Sequence, residues 1–148
     1  MFVVFDLDGT LSDDRHRRHL LDGTDSGYDA YYAACVDDPP ILPVIHTMRL
    51  LMLSALVRVE IWTGRRGQLR ADTVAWLEAH GIPGRTLVRM RPAGDRSSVV
   101  SLKRGWLREA CATAGSRGGA PDAVYEDRGD LVIMWREEGV ICFQVGIP

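Results

Sequence analysis

Short apolar segments alternate with longer segments of helical periodicity along this chain, and this alternation constrains its fold more than any other feature. The predicted strands are Met1–Phe5, Val57–Thr63, Thr86–Met90, Ala123–Tyr125 and Val140–Val145. The predicted helices are Pro43–Leu56, Gln68–His80, Ser98–Ala114 and Leu131–Glu138. Strands that alternate with helices of this length form a parallel sheet with helices on both faces. We therefore predict an α/β, three-layer Rossmann-like fold with a parallel sheet of about five strands.

Length and composition exclude several classes of protein. The chain has 148 residues, of which 46% are hydrophobic and 26% charged, as in an ordinary globular domain. No apolar run reaches the ~18 residues of a spanning helix, and the start, MFVVFDLDGT, shows no basic leader. We therefore expect a cytoplasmic protein with no membrane contact. The widely spaced Cys35, Cys111 and Cys142 form no CxxC pair and are predicted to be reduced thiols.

A polar segment follows the first strand and interrupts the alternation. It contains a charged run, DDRHRRHLL, a turn rich in Gly, Ser and Asp, a short aromatic helix, DAYYAACV, and the sequence DDPP. We predict that residues 13–42 form a small helical cap over the site, within a single domain spanning residues 1–148. Its basic residues, Arg15, His16, Arg17, Arg18 and His19, would either grip a nucleic acid backbone or form a solvated face. Its tyrosines, Tyr28, Tyr31 and Tyr32, would either stack on a base or pack the cap onto the core.

Polar residues follow the predicted strands at the sheet edge where ligands bind in such folds. These residues are Asp6 and Asp8 after the first strand, Thr63 and Gly64 after the second, and Glu126 and Asp127 after the fourth. The motif FDLDGT places two carboxylates two residues apart, in a turn with Gly9 and Thr10. One carboxylate can attack an electrophile while the other transfers a proton. The pair is suited to hydrolysis of a phosphate ester through an acyl-phosphate.

A phosphate dianion repels an attacking carboxylate, so the reaction requires cations and hydrogen-bond donors around the transferred oxygens. Mg²⁺ prefers oxygen ligands and retains several waters. Asp6, Asp127 and the carbonyl oxygen of Asp8 make a suitable set. Thr63 and the amide that follows it can hydrogen-bond the phosphoryl group. Lys103, the only lysine in the sequence, would supply the remaining positive charge.

These motifs resemble those of the haloacid dehalogenase superfamily of phosphohydrolases. The matching segments are FDLDGTL, the threonine of IWTGR, Lys103 and YEDRGD. Three stretches, WTGR, LVRMRPAGDRSSVVSLKRGWL and above all EDRGDLVIMWREEGVICFQV, resemble the 3′-phosphatase domain of phage-type polynucleotide kinase-phosphatases. The resemblance implies that Asp6 is the nucleophile, Asp8 the general acid and base, and Thr63 and Lys103 the phosphoryl-binding residues. It further implies metal ligation by Asp6, Asp8, Asp127 and Glu126, and substrate contacts from Gly64, Arg65, Thr10 and Arg91.

The sequence departs from the family pattern at two places. Glu126 stands where the family usually has aspartate, which leaves Asp130 as an alternative supporting ligand. The segment before Lys103 reads SSVVS where relatives carry an acidic residue, so the partner of the lysine is open. The phosphate-binding motif GxxxxGK[ST] is absent from the sequence, so we expect phosphatase chemistry without a kinase half.

We therefore predict a Mg²⁺-dependent phosphomonoesterase that removes 3′-phosphates from DNA or RNA ends. The alternative is a nucleotidase or other small-molecule phosphatase of the same superfamily. A receiver-like phosphoacceptor domain is a third hypothesis, but it would carry its acceptor aspartate on the third strand, where this chain reads TLVRM. A fourth hypothesis, an inactive protein that only binds phosphate ends, is opposed by the complete set of predicted catalytic residues.

Overall fold

The computed structural model describes residues 1–113 and 119–146. Its strands are β1 (Phe2–Phe5), β2 (Arg58–Arg66), β3 (Leu87–Arg91), β4 (Ala123–Glu126) and β5 (Ile141–Gln144). They form one five-stranded sheet in the order β3-β2-β1-β4-β5, and every pair of neighbours is parallel. The predicted α/β class with a parallel sheet is confirmed.

The helices are α1 (Asp25–Ala33), α2 (Leu42–Met52), α3 (Arg70–Ala79), α4 (Val99–Ala112) and α5 (Gly129–Glu137). Helix α2 ends at Met52, four residues before the predicted Leu56, because the next amides, those of Leu53 and Ser54, donate to carbonyl oxygens three residues back. Strand β2 continues past the predicted Thr63 to Arg66. Ala114, the predicted end of α4, and residues 115–118 of the predicted loop that follows lie outside the described residues.

Two apolar clusters cover the two faces of the sheet. Alternate residues of β1 contribute to each, with Phe2 and Val4 in one cluster and Val3 and Phe5 in the other. The first cluster includes side chains from α4 and α5, and the second includes side chains from α2 and α3. The four tryptophans predicted to be core residues are all buried: Trp62, Trp76, Trp106 and Trp135.

The order of the strands reverses beside β1. The chain leaves β1 to build β2 and β3 on one side, and later builds β4 and β5 on the other side. A crevice forms at such a reversal, outside the carboxyl ends of the strands. Asp6 follows β1 there, and Asp127 follows β4.

Residues 13–42 contain α1 between two short 3-10 helices, Arg15–Leu20 and Ala34–Asp37. A 3-10 helix has three residues per turn, so side chains three positions apart share a face. Asp14, directly before the first 3-10 helix, and Arg17, three positions later within it, are buried, while Arg15 and Arg18 are exposed. Residues 13–42 therefore place charged side chains in the interior of the protein as well as on its surface.

Two further expectations concern the whole chain. In the described ranges, no helix combines the length and the apolar character needed to cross a membrane. Cys35, Cys111 and Cys142 are free thiols, and only Cys111 is exposed.

Candidate active site

The turn after β1 places the two aspartates of the FDLDGT motif. The Asp6 amide continues the sheet by donating to the carbonyl oxygen of Tyr125 at 3.0 Å. The amides of Thr10, Leu11 and Ser12 then all donate to the carbonyl oxygen of Leu7, at 3.1, 2.8 and 2.9 Å. These bonds fold the chain back tightly, so Asp6 and Asp8 both line the cleft above the sheet.

Gly9 occupies a position in this turn that requires glycine for two reasons. Its φ of +80° lies in the left-handed region that side chains disfavour. A Cβ atom at Gly9 would also lie 2.2 Å from Oδ2 of Asp127. The absence of a side chain therefore lets the turn after β1 pass close to the carboxylate that follows β4.

Lys103 projects from α4 into the floor of the cleft. Its Nζ atom donates to Oδ1 of Asp6 and to Oε2 of Glu126, both at 2.7 Å. Burial lowers the pKa of the lysine, but the charges of Asp6 and Glu126 outweigh burial and raise it. The acidic partner of Lys103 that the sequence left open is therefore Glu126, which comes from β4, together with Asp6.

Asp6, Glu126 and Asp127 form a carboxylate cluster that can hold a metal ion. Within the described part of the chain, each offers an oxygen that lies within 4.8 Å of the other two. Burial and the charge of Glu126 raise the pKa of Asp6 to about 7, against the lowering effect of Lys103. Burial and the charge of Asp6 raise the pKa of Asp127 to about 6. Burial and the neighbouring carboxylates both disfavour the ionised forms, and a bound cation would offset both effects.

The bonding pattern of the cluster distinguishes its members. Both carboxylate oxygens of Glu126 have donors, Lys103 Nζ at 2.7 Å and the Arg128 amide at 3.4 Å. In contrast, Oδ1 of Asp127 is buried and has no hydrogen-bond partner among the described residues. Asp6 and Asp127 therefore fit an oxygen-binding cation such as Mg²⁺, while Glu126 supports Lys103. Asp130, the alternative ligand, is half exposed and pairs with Arg128 at 2.7 Å.

Asp8 is held by two buried arginines. Arg17 Nη2 donates to Oδ1 of Asp8 at 2.5 Å, and Arg65 donates to the same oxygen through Nε at 2.8 Å and Nη2 at 2.6 Å. Burial raises the pKa of Asp8, but the charges and hydrogen bonds of Arg65 and Arg17 lower it by more. The net shift of the pKa is therefore downward. No described side chain donates to Oδ2 of Asp8, and the carboxylate is 16% exposed. One oxygen is anchored while the other remains available for proton transfer.

Asp38 completes this network from the far end of the 13–42 segment. Its carboxylate accepts bonds from Arg17 Nε at 2.6 Å, Arg65 Nη2 at 2.7 Å and the Ser12 hydroxyl at 3.0 Å. Arg17, Arg65 and Asp38 have fully buried side chains. Both predictions for Arg17, a contact to a nucleic acid backbone or a solvated face, are wrong, because its side chain is fully buried and binds Asp8 and Asp38. The sequence analysis did not single out Asp38, and nothing in the DDRHRRHLL run marks one arginine as buried.

Two predicted substrate contacts, Arg65 and Thr10, and the predicted phosphoryl-binding Thr63 lie behind the surface of the cleft. Arg65 does not line the cleft but lies beneath it, since Asp8 and Asp38 bind its guanidinium. Thr10 and Thr63 are also buried and outside the cleft lining. The Thr10 hydroxyl has no partner among the described residues, and the Thr63 hydroxyl accepts the Arg65 amide at 3.1 Å. These side chains shape the walls behind the site.

Gly64 and Arg91 do line the cleft. The Gly64 carbonyl accepts bonds from Nε of Arg91 at 3.2 Å and from the Tyr32 hydroxyl at 3.4 Å. Tyr31 is buried, and the centre of its ring lies 4.0 Å from the guanidinium carbon of Arg17. This agrees with the predicted packing role of the tyrosine. Tyr28 is half exposed in the cleft lining.

The cleft above these groups has a volume of about 1010 Å³. The nucleophile candidate Asp6 lies in its floor with Lys103 and Asp127, and α1 forms one wall. Basic side chains are spread around the opening, namely Arg18, Arg66, Arg91, Arg96 and Arg128. Acidic side chains line the same cleft, namely Asp25, Asp29 and Asp95, so the basic groups there are partly neutralised.

A comparison with protein families tests the resemblance that the motifs suggest. The family model described as the polynucleotide kinase PNKP phosphatase domain matches residues 1–147. The chain belongs to this family. It is a phosphatase domain of the haloacid dehalogenase type, and the predicted resemblance is confirmed. Among curated proteins, none matches the sequence.

Solved structures with the same fold include two complexes of Pnkp1 with Rnl and Hen1. This PNKP-type phosphatase domain is 27% and 28% identical to the matching chains, with TM-scores of 0.73 and 0.74, and 97% of it is covered in both comparisons. It spans 45% and 41% of those chains, less than half of their length.

More distant structures share only the fold. One is a class C acid phosphatase from Bacillus anthracis, with 13% identity, a TM-score of 0.62, and coverage of 96% of this chain and 65% of that one. Another is the haloacid dehalogenase-like protein SP0104 from Streptococcus pneumoniae, with 14% identity, a TM-score of 0.60, and coverage of 98% and 84%.

Proposed function

We propose that this domain removes the terminal 3′-phosphate from nucleic acid ends through a phosphoenzyme formed on Asp6. The arrangement that carries the proposal is Asp6 in the cleft floor, paired with Lys103 at 2.7 Å, with the anchored carboxylate of Asp8 two residues further on. Membership of the PNKP phosphatase family supports a polynucleotide substrate. One of the similar structures is described as an RNA repair complex, which supports a role in the repair of nucleic acid ends.

In the first step, a carboxylate oxygen of Asp6 attacks phosphorus, and the bond from phosphorus to the 3′ oxygen of the sugar breaks. The leaving oxygen takes a proton from the carboxyl group of Asp8. In the second step, Asp8, now ionised, accepts a proton from the water that attacks the acyl-phosphate. Inorganic phosphate leaves and the Asp6 carboxylate is restored.

The environment of Asp8 suits a group that must change its protonation state. Without substrate, Arg17 and Arg65 lower the pKa of Asp8 and keep it ionised. A bound phosphate dianion adds negative charge beside the free Oδ2 atom and raises that pKa again. Substrate binding therefore makes the acid form of Asp8 easier to reach for the first step, and the two arginines stabilise the base form needed for the second step.

Mg²⁺ is the metal we assign to this domain, with Asp6, Asp127 and the Asp8 carbonyl oxygen as the residues that would hold it. The unpartnered Oδ1 of Asp127 and the raised pKa of Asp6 are the observations that fit such an ion. A bound Mg²⁺ supplies positive charge that reduces repulsion between the carboxylates and the phosphate. Lys103 adds a fixed positive charge 2.7 Å from Oδ1 of Asp6.

The test compares phosphate release from a 3′-phosphorylated oligonucleotide, its 5′-phosphorylated isomer and 3′- and 5′-mononucleotides. We expect the 3′-phosphorylated oligonucleotide to be the preferred substrate by kcat/KM. Asp6→Asn should abolish release, whereas Asp72→Asn, at an exposed position on α3, should leave it unchanged. Preference for a mononucleotide would indicate a nucleotidase, and turnover by Asp6→Asn would refute the phosphoenzyme.

A further inference from the structure

Two arginines at the opening of the cleft are paired with acidic residues of α1. Arg66, the last residue of β2, forms an ion pair with Asp29. Arg96, in the loop between β3 and α4, has Nη2 at 3.6 Å from Oδ2 of Asp25. All four side chains line the cleft. Both pairs therefore lie across its opening, between α1 and the edge of the sheet.

The loop that carries Arg96 has a fixed backbone. Oδ1 of Asp95 accepts bonds from the amide of Ser97 at 2.8 Å, from its hydroxyl at 2.6 Å, and from Nη1 of Arg91 at 3.0 Å. Gly94, with a φ of +80°, allows the chain to turn there. In contrast, the side chain of Arg96 is 86% exposed. The loop thus presents a solvated guanidinium from a rigid base.

Arg66 is presented by a second, independent arrangement. Its guanidinium carbon lies 5.3 Å from the centre of the Tyr32 ring, and its side chain is 36% exposed. The Tyr32 hydroxyl in turn donates to the Gly64 carbonyl oxygen at 3.4 Å. Tyr32 therefore steadies the Arg66 side chain close to the β2 end of the cleft, while Asp29 remains largely in solvent.

Ion pairs of this exposed kind exchange easily. Each contributes little to stability, because water screens both charges. A guanidinium binds carboxylate and phosphate oxygens with the same forked geometry. Asp25 and Asp29 therefore occupy the two arginines in the way that two phosphodiester groups would.

We propose that Arg66 and Arg96 bind backbone phosphates of the nucleic acid, on the 5′ side of the end that reacts. Asp29 and Asp25 neutralise these arginines until the polynucleotide replaces them. This inference rests on the proposed function and adds the path of the polymer, which leaves the cleft between α1 and the loop of residues 92–97. No covalent bond changes in this exchange. A mononucleotide has no second phosphate and gains nothing from the two arginines.

The same ion pairs could instead act only as a clasp that holds α1 against the sheet. The two roles predict opposite effects when the acids are neutralised. If Asp25 and Asp29 compete with substrate phosphates, their removal strengthens binding of the polymer. If they only hold α1 in place, their removal loosens the cleft and weakens binding of every substrate.

The experiment measures kcat/KM for a 3′-phosphorylated oligonucleotide and for a 3′-mononucleotide, and takes the ratio of the two. We expect Asp25→Asn/Asp29→Asn to raise this ratio about 2- to 30-fold, the range expected from the loss of two exposed ion pairs. We expect Arg66→Gln/Arg96→Gln to lower the ratio. The arginine variant should also reduce the slope of log KM against log salt by ~1.4, or ~0.7 for each lost phosphate contact on a single strand.

The control is Glu137→Gln/Glu138→Gln, which changes the net charge by the same amount as the aspartate variant. Both glutamates lie at the end of α5 and pair with Arg104 of α4, and neither lines the cleft. This control should leave the ratio unchanged. An equal rise in the control would show a general charge effect and overturn the proposal, as would an unchanged or lowered ratio in the aspartate variant.

Binding separates this inference from the proposed function. Fluorescence anisotropy with a labelled oligonucleotide that lacks a terminal phosphate measures the backbone contacts alone. Tighter binding by the aspartate variant and weaker binding by the arginine variant would support the inference even if the wild type prefers mononucleotides for hydrolysis. Equal affinities across the variants would overturn it even if 3′-phosphatase activity were demonstrated.

Discussion

Nζ of Lys103 lies 2.7 Å from Oδ1 of Asp6, in a chain whose other basic residues are arginine or histidine. The ammonium also binds Glu126 at 2.7 Å in a fully buried position. A compact point charge fits between two carboxylates at this spacing, and a planar forked guanidinium does not. Geometry at this position explains why a lysine is present where arginine serves elsewhere.

We therefore expect Lys103→Arg to lower kcat at least ~100-fold, the cost typical of removing one group that stabilises developing negative charge. Lys103→Met should be impaired to a similar or greater extent. Arg104→Lys, at the next position along α4 and with a partly exposed side chain, is the control and should retain activity. Thermal denaturation should be recorded for each variant, and a folded Lys103→Arg with near-normal turnover would contradict the assignment.

Gly9→Ala should abolish activity, because the new methyl group would lie where Oδ2 of Asp127 stands. Gly139→Ala is a matched control, since Gly139 has a φ of +78° and no atom within 4 Å of an added Cβ. Both substitutions strain the backbone by a similar ~1 kcal/mol, but only Gly9→Ala displaces the carboxylate. Equal activity of the two variants would show that the close approach is unimportant.

Asp38→Ala should destabilise the fold by about 3–5 kcal/mol, because it leaves the buried Arg17 and Arg65 with one carboxylate fewer. Asp37→Ala removes an exposed aspartate one residue earlier and should change stability little. Urea denaturation followed by tryptophan fluorescence measures both. A small effect of Asp38→Ala would mean that Asp8 alone balances the two arginines.

Mg²⁺ should raise the thermal midpoint of the wild type but not that of Asp127→Asn. At a concentration 100-fold above its Kd, a ligand stabilises by ~2.7 kcal/mol, which corresponds to several degrees for a domain of this size. Asp130→Asn should respond like the wild type, because Asp130 pairs with Arg128 away from the carboxylate cluster. Loss of the response in Asp130→Asn, with retention in Asp127→Asn, would reverse the assignment of the ligand.

Thiol labelling should distinguish one cysteine from the other two. Cys111 is exposed on α4, whereas Cys35 and Cys142 are buried. Burial also raises the pKa of Cys142 to about 11, so little of it is thiolate at neutral pH. A disulfide reagent should modify one thiol rapidly and the others only upon unfolding. Rapid modification of two thiols in the native state would contradict the burial of Cys35 or Cys142.

The fold was largely predictable because the spacing of apolar residues along the chain differs between strands and helices. Strand β1 is a short apolar run, and α4 places its buried residues at helical intervals. The boundaries were less predictable. Helix α2 passes into a tighter turn after Met52, and β2 gains its last residues by pairing of Arg66 with Arg91 on β3.

The candidate site divides in the same way. Asp6 and Asp8 are fixed by a local motif, and their spacing alone indicates a nucleophile and a proton carrier. The pairing of Lys103 with Glu126 joins residues 23 positions apart and depends on how α4 packs beside β4. Arg17 reaches Asp38 over 21 positions, and only the folded segment shows which arginine of the run is buried.

The sequence by itself determined the parallel α/β architecture, the two aspartates after β1 and the lone lysine, because these depend on periodicity, on a local motif and on residue identity. Only the tertiary structure decided which charges are buried together and which remain in solvent. Electrostatic interactions depend on distance and on exclusion of water, and neither can be read from positions along a chain. Arg65 therefore lies beneath Asp8 as a support, while Arg66, its neighbour in sequence, lines the open cleft.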